Sequence, residues 1–241
     1  DATSLWTEFL YEKKIVTDPI WRQYDRDMVK SYAKGVLDIR DFCRKHSGAF
    51  RSIPEEKLHA LAQEFAKKKI APLIFPDGKK WAKNALQANI PACVLSASAA
   101  FIVKPIAKLF GLTDAMGIEL AFKDGFCTGE IVGIPTFQEG KVERLSERLA
   151  EAGIGFEDVL FFTDSRNDLP LAERAGYTVC VNPDAVLESA ARKNGWKVAE
   201  WKLSLRTQMT AQVDAKGVPE TQTVRSEWTA ALAVCWVTFF F

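Results

Sequence analysis

The sequence predicts an α/β fold, a doubly wound parallel sheet accompanied by a helical cap domain and a small β-hairpin insertion. Three observations lead to this prediction. Apolar residues in the first 88 positions recur at the 3.6-residue spacing of amphipathic helices, short apolar runs then alternate with further helical stretches, and one segment holds two β-like runs around a tight-turn dipeptide. Strands buried on both faces of a parallel sheet give such near-continuous apolar runs, with helices connecting them.

Residues 1–88 are predicted to form the helical cap domain. Three segments, LWTEFLYEKKI, WRQYDRDMVKSY and EEKLHALAQEFA, each carry an apolar stripe. Stripes of this kind pack helices against one another, so their aromatic members are interpreted as core rather than as a cofactor-binding set. The stripe residues are Leu5, Trp6, Phe9, Leu10, Trp21, Tyr24, Met28, Tyr32, Leu58, Leu61, Ala62 and Phe65.

Residues 89–201 are predicted to form the core that contains the sheet. Strands are expected at 90–98, 158–164 and 177–184, and helices in the intervening FIVKPIAKLF and GKVERLSERLAEAG. The segment 117–133 differs from this pattern, because its two β-like runs flank an Asp-Gly dipeptide that is typical of a hairpin turn.

Residues 202–241 are assigned to a tail whose structure the sequence does not predict. The chain is polar and mixed in composition after Trp201, and it closes on the apolar stretch 228–241. That stretch is shorter than the ~20 apolar residues of a membrane span. Packing against the core and the start of a membrane helix both remain open, although membrane association is not expected.

The composition narrows the class of protein. A net charge of +1, from 32 basic and 31 acidic residues, lacks the basic excess of a nucleic-acid binder. Five scattered cysteines without a CxxC pair favour the reduced thiols of a cytoplasmic protein. Only two histidines are present, both expected at the surface or at a helix end, which disfavours Ser-His-Asp catalysis. The sequence shows neither a dinucleotide nor a P-loop glycine motif, and no secretory signal pattern.

Polar residues stand where three of the predicted elements meet the carboxyl edge of the sheet, the edge at which such folds bind ligands. Ser96 ends the first core strand, Lys141 enters a helix, and Asp164 and Asp168 follow a later strand. A hydroxyl and a lysine near helix N-termini favour a phosphate, and two carboxylates on one loop suit Mg²⁺.

Each signal also has an ordinary explanation when it is taken alone. Ser96 and Asp168 are both explained as helix caps, with Asn167 as a turn former, and a lysine in a helix is usually exposed. Ser98 is favoured as the residue that caps the helix after the first core strand.

Taken together, the hydroxyl, the lysine and the acidic pair resemble, in their order, the second, third and fourth motifs of the haloacid dehalogenase superfamily. The segments LWTEFL, GVLDIRDF, ASAAFIVKPIAKLFG, ELAFKDGFCTGEIVG, GKVERL and FTDSRNDLPLAE look like its phosphoserine-phosphatase-like branch, subfamily IB. The resemblance covers residues 1 to about 200, and the D-S-x-N-D-L-P block with the preceding G-K is its most specific part. Residues 202–241 resemble no family.

This resemblance implies a Mg²⁺-dependent phosphatase that acts on a small phosphomonoester, phosphoserine or a related metabolite. Ser96 and Lys141 would be the catalytic residues that hold the phosphoryl oxygens, and Asp164 and Asp168 would bind the metal. The implied substrate-binding residues are Asp1, Ser96, Ser98, Lys141 and Asn167. Of these, Asp1 lies near a position at which phosphoserine phosphatases place an acidic residue for the amino group of the substrate.

The family's first motif, Asp-x-Asp-x-Thr, supplies the nucleophile that becomes an aspartyl-phosphate, and this sequence does not contain it. Because the chain opens without Met and without the strand that carries this motif, it is expected to be a fragment, with the nucleophile upstream of Asp1. The chain by itself is therefore predicted to have no turnover.

Three alternatives remain open. A dehalogenase of the same superfamily uses the Asp nucleophile without Mg²⁺. A non-catalytic binding module becomes the leading interpretation if the natural chain begins at Asp1. The apolar end also permits a phosphatase domain that leads into a membrane segment.

Overall fold

The helices of the first 87 residues surround an aromatic core. The computed structural model describes residues 2–203 together with the backbone of 233–237. Asp38 caps the helix that begins at Ile39, because its side chain accepts hydrogen bonds from the Arg40 and Asp41 N–H groups, both at 3.0 Å. The helices are α1 (Ala2–Glu12), α2 (Ile20–Ala33), α3 (Ile39–His46), α4 (Glu55–Phe65) and α5 (Pro76–Gln87).

The predicted apolar stripes of these helices meet at Trp6, which is fully buried. Its ring centroid lies 5.4 Å from that of Phe65 and 5.7 Å from that of Phe101. Phe101 belongs to the next part of the chain, so the aromatic core of the cap continues into the sheet-containing core. His46 is the last residue of α3, as the expectation of a helix end allows, but its side chain is buried and not at the surface.

The sheet is parallel, in the order β2-β1-β8-β5-β6-β7, and it confirms the α/β fold class. Alternate residues of its strands contribute to two apolar clusters on opposite faces: Val94 and Phe162 to the face beneath the cap, Leu95 and Phe161 to the face beneath α7. The bounds are β1 (Ala92–Ala99), α6 (Ala100–Lys108), β2 (Asp114–Ile118), β3 (Leu120–Lys123), β4 (Phe126–Ile131), α7 (Glu139–Ala152), β5 (Val159–Thr163), α8 (Leu169–Ala172), β6 (Tyr177–Val181), α9 (Ala185–Asn194), β7 (Lys197–Ala199) and β8 (Ala233–Val237).

Strands β3 and β4 form the predicted hairpin, an antiparallel pair outside the main sheet. Its turn uses Asp124 and Gly125 at φ +53° and +80°, the left-handed conformations that an Asp-Gly dipeptide favours. The chain therefore leaves the parallel sheet only where the sequence changes its pattern.

Strand β8 lies between β1 and β5 near the centre of the sheet, and it comes from the segment 202–241, whose structure the sequence does not predict. Its register pairs Val234 with Ala92 on one side and with Leu160 on the other. The apolar run at the end of the chain thus contributes a strand in its described portion, 233–237, while the polar stretch after residue 203 lies outside the described residues. No helix among the described residues is long and apolar enough to cross a membrane.

The cysteines that the structure describes are buried, at Cys43, Cys93, Cys127 and Cys180. Burial raises the pKa of the Cys43 thiol to about 12. A thiol with so high a pKa is protonated near neutral pH, so Cys43 is a packing residue rather than a nucleophile.

Candidate active site

The polar residues predicted from the sequence converge on the carboxyl edge of the sheet. Ser96 lies near the end of β1 and Asp164 follows β5, and these strands flank β8 on either side. Thr136, in the loop before α7, donates a hydrogen bond of 2.5 Å to the Ser96 carbonyl oxygen. This contact ties the end of β1 to the segment that carries Lys141.

Lys141 is buried, with only 1% of its surface exposed, contrary to the usual behaviour of a lysine in a helix. Its Nζ donates to Oδ1 of Asp168 in a short ion pair. Thr163 Oγ1 donates to the other carboxylate oxygen of Asp168 at 2.8 Å. A charged pair taken this far out of water is costly and is no general source of stability, so its position at the ligand-binding edge points to a functional role.

Asp168 uses its carboxylate to hold Lys141 rather than to cap a helix, because it makes no side-chain capping bond at the start of α8. Both of its oxygens are engaged, one by Lys141 and one by Thr163. Its assignment as a metal ligand stays a prediction. In the present geometry Asp168 is the residue that positions the lysine.

Asp164 lines a cavity of about 340 Å³ between the core and α2 of the cap. Ser96 and Lys141 do not line this cavity, so the structure places the lysine–carboxylate pair next to it rather than inside it. The cavity is lined by Val29, Tyr32, Ala33, Asp164, Ser165, Asn167, Asn182, Pro183 and Asp184.

The loop after Asp164 is held by one hydrogen bond within the motif and one to Asp184, which follows the next strand. The Ser165 Oγ accepts from the Asn167 N–H at 3.2 Å, and the Arg166 N–H donates to Oδ2 of Asp184 at 2.6 Å. Asp184 also caps α9 through the Val186 and Leu187 N–H groups. These bonds fix Asp164 and Asn167 on the same side of the loop as the cavity.

The expectation that Ser98 caps α6 is wrong. Ser98 lies within β1, and the N-cap position of α6 is Ala99, which has no side chain able to cap. The Ser98 hydroxyl instead lies 3.2 Å from that of Thr3 at the start of α1, where it joins the cap to β1. Asp1 lies outside the described residues, so its predicted role stays a prediction.

The helical spacing places Tyr32 in an apolar stripe, but in the structure its phenol faces the site. Burial raises the pKa of this phenol well above its ordinary value, and the negative charge of Asp168 raises it further. The hydroxyl is therefore a neutral hydrogen-bonding group. No sequence signal separates this tyrosine from its stripe, because only the docking of α2 brings it to the acidic loop.

The donors present fit a cation that keeps most of its water. Among the described residues, no three His, Cys, Asp or Glu side chains cluster as a ready-made metal site. Mg²⁺ does not require one, since it commonly binds through one or two carboxylates and retains several waters. Asp164 and Asp184 are the carboxylates that line the cavity, and Asp184 already accepts hydrogen bonds from three backbone N–H groups. Asp164 is therefore the better candidate for a metal ligand, and this role stays a prediction.

Comparison with known proteins establishes the family. The family model "haloacid dehalogenase-like hydrolase" matches residues 1–173, and the chain belongs to this family. A histidinol-phosphatase from Neisseria meningitidis is 33% identical over 84% of this chain and 93% of its own length. The phosphoserine phosphatase SerB1 from Mycobacterium tuberculosis is 30% identical, and the match covers 64% of this chain and 49% of the length of that relative.

Solved structures agree on the fold. A protein of unknown function from Bordetella pertussis Tohama I has a TM-score of 0.74 and 29% identity, covering 82% of this chain and 91% of its own. A substrate-bound phosphoserine phosphatase has a TM-score of 0.58 at 19% identity, covering 88% of this chain and 90% of its own, a likeness that concerns the fold alone.

Proposed function

We propose that this protein is a Mg²⁺-dependent phosphomonoesterase that hydrolyses a small phosphorylated metabolite. The observation that carries the proposal is the buried pair of Lys141 and Asp168, set beside the cavity that Asp164 lines. A buried lysine, with a carboxylate nearby that could hold a cation, would offset the charge of a transferring phosphoryl group at this ligand-binding edge of the sheet. Membership of a hydrolase family with relatives named as phosphatases supports the same conclusion.

Within this proposal, Lys141 and Ser96 hold the phosphoryl oxygens. An ammonium group has three N–H donors, so Lys141 can keep its bond to Asp168 and still donate to a phosphoryl oxygen. Thr163 shares Asp168 with the lysine and fixes the carboxylate in its present rotamer. Asp168 thereby fixes the position of the Lys141 ammonium group, in addition to its predicted part in the metal site.

Asp164 would hold the Mg²⁺, with Asn167 supporting the loop. When bound, the cation would offset the charge of the phosphoryl group and orient it. Helix α2 closes one side of the cavity through Val29, Tyr32 and Ala33, so the cap would exclude water and select the substrate.

We infer that the attacking carboxylate comes from outside the described residues. Among the acidic residues nearest the site, Asp168 is bound by Lys141 and Thr163, Asp184 accepts from three backbone N–H groups, and Asp164 is needed for the cation. The position between Ser96 and Asp164 is the carboxyl end of β8, and the sequence that follows, 238–241, is TFFF and has no acidic side chain. A segment upstream of Asp1 is the proposed source, and an aspartyl-phosphate is the intermediate it would form.

The substrates to test first are phosphate esters of small amine-bearing alcohols. The two relatives described above are named as a histidinol-phosphatase and a phosphoserine phosphatase. The substrates in both names are phosphate esters of this class. Histidinol phosphate and phosphoserine are therefore the first two candidates, ahead of other phosphomonoesters.

The decisive experiment measures phosphate release from these two esters by the protein translated with its upstream codons. We expect turnover that needs Mg²⁺, is lost on chelation, and falls at least about 100-fold in Asp164→Asn, since even the outer partners of metal ligands are worth 10- to 100-fold. Asp158→Asn is the matched control, because Asp158 is an exposed acid just before the opposite end of β5.

Two results would count against the proposal. Turnover of a haloacid that persists under chelation would identify a dehalogenase. Complete inactivity of the longer protein on a panel of phosphomonoesters, with phosphate still bound, would favour a non-catalytic module. Full activity of residues 1–241 alone would overturn only the inferred position of the nucleophile.

A further inference from the structure

The C-terminal end of α2 contacts side chains that come from two loops of the active site. Gln138, which precedes α7, donates from Nε2 to the Gly35 carbonyl oxygen at 3.3 Å. Asn167, in the loop after Asp164, donates from Nδ2 to the Tyr32 carbonyl oxygen at 2.9 Å. The two amides are joined to each other, since Gln138 Nε2 also donates to Oδ1 of Asn167 at 3.2 Å.

Both contacts lie at or just beyond the C-terminal end of α2, where the Tyr32 carbonyl also accepts from the Gly35 N–H at 2.9 Å and Gly35 follows the helix. The last carbonyl groups of an α-helix have no intrahelical donor, and this end carries the negative pole of the helix dipole. Gly35, at φ +72°, stops α2, and the Val36 N–H returns to the Ser31 carbonyl at 3.0 Å. The Gly35 carbonyl accepts its hydrogen bond from Gln138, which belongs to the core.

A cation lies beside the same helix end. A Cβ added to Gly35 would stand 3.3 Å from Nε of Arg166, so the guanidinium packs directly against this glycine. A positive charge near a helix C-terminus is favourable. Gln138, Arg166 and Asn167 therefore act on one helix end, and all three belong to the core rather than to the cap.

Gln138 adopts a backbone conformation that a residue with a side chain rarely takes, with φ +48° and ψ −124°. Such a conformation costs on the order of 1–3 kcal/mol in a non-glycine residue and persists where the surroundings require it. A glycine would remove this cost but would also remove the amide. The presence of glutamine here indicates that the amide has a use.

We propose that Gln138 is a positioning residue that latches the cap to the catalytic loop. The amide latch consists of the Gln138 and Asn167 side chains with the Tyr32 and Gly35 carbonyl groups. It links three parts that phosphoryl transfer needs in register: the helix that carries Lys141, the loop that carries Asp164, and the cap helix that closes the cavity. Opening of the cap breaks both carbonyl contacts together, so the state of the cap is sensed directly by the loop after Asp164.

The test compares amide hydrogen exchange in residues 29–37 of the full chain with exchange in α7, for the wild type, Gln138→Gly, Gln138→Ala and Asp124→Gly. Asp124 is the control, because it is exposed and also has a positive φ, but belongs to the hairpin turn and not to the latch. We expect exchange in 29–37 to rise about 10-fold in both Gln138 variants, since each lost hydrogen bond shifts local opening by several-fold. Gln138→Gly should keep or raise the thermal midpoint, because it relieves the positive φ, whereas Gln138→Ala should lower it.

Asn167→Ala provides a second measurement. Because the two amides bond to each other, the double variant Gln138→Ala/Asn167→Ala should accelerate exchange in 29–37 by less than the product of the single effects. Unchanged exchange in 29–37 in both Gln138 variants would overturn the latch, and so would an equal acceleration in every segment of the chain. Neither result depends on whether the protein hydrolyses a phosphate ester.

Discussion

The aromatic core of the cap and the polar cluster at the sheet edge are equally buried but are built from opposite chemistry. Trp6 and Phe65 are fully buried among other rings, while Lys141 and Asp168 are 1% and 0% exposed and face each other as charges. Burying a large apolar side chain stabilises a fold by about 1.5–3 kcal/mol. Burying a charged pair contributes little or nothing net, although the loss of one partner is strongly destabilising.

This difference separates residues whose burial stabilises the fold from residues whose burial the rest of the fold must compensate. The aromatic core of the cap stabilises the fold, because its rings exclude water and fill space. The Lys141–Asp168 pair does not, and neither does the positive φ of Gln138. Features that cost free energy therefore occur together at one edge of the sheet, beside the cavity that Asp164 lines.

The largest effect is expected in the aromatic core. Trp6→Ala should destabilise the protein by about 3–5 kcal/mol, because it removes a fully buried ring and leaves a cavity among Phe9, Phe50, Phe65 and Phe101. Chemical denaturation measures the change. Leu5→Ala, at the partly buried neighbouring position, is the control and should cost clearly less. Equal costs at the two positions would contradict the assigned packing.

The next effect tests the charged pair. Lys141→Met should cost about 3 kcal/mol in the free energy of unfolding, because it leaves the Asp168 carboxylate buried without its cation. Adding Asp168→Asn removes that charge, so the double variant should be more stable than Lys141→Met alone. Both variants should lose phosphate binding.

Lys104 supplies the matched control for this pair. It forms a 3.0 Å ion pair with Glu119, but both side chains are well exposed. Lys104→Met should change stability by less than about 1 kcal/mol, as expected of a surface pair. A cost as large as that of Lys141→Met would mean that burial does not distinguish the two pairs.

The smallest effect concerns the cap tyrosine and pH. Because burial and then Asp168 raise the pKa of the Tyr32 phenol, the folded protein holds this proton more tightly than the unfolded chain does. The resulting stability is complete below about pH 10, the ordinary phenol value, and declines as the pH rises above it, by at most about 1.4 kcal/mol per pH unit.

Denaturation of the wild type and of Tyr32→Phe at several pH values up to 11 measures this contribution. The wild type should lose more stability than Tyr32→Phe over the alkaline part of the range. Tyr177→Phe, at an exposed position, should follow the wild type. Parallel curves for wild type and Tyr32→Phe would show that the phenol is not buried against the acidic loop.

Much of the fold was predictable because local patterns dictate it. Leu58, Leu61, Ala62 and Phe65 form a stripe at helical spacing, and all four are buried as the pattern requires. The hairpin turn at Asp124 was readable for the same reason. Ser98 was misassigned because a hydroxyl near a helix start has two uses, and only the approach of Thr3 on α1 determines which one applies.

The sequence by itself determined the class of fold and the family resemblance, which the family match confirmed. It also predicted that four polar residues lie at one edge of the sheet, namely Ser96, Lys141, Asp164 and Asp168. Strand ends and helix starts are set by neighbouring residues, which is why a linear pattern reveals them. Tertiary structure alone decided that Asp168 holds Lys141, that Tyr32 turns from its stripe toward the acids, that β8 takes the central position, and that Gln138 reaches the cap. These are contacts between segments distant in the chain, and their distances and burial arise only when the layers pack.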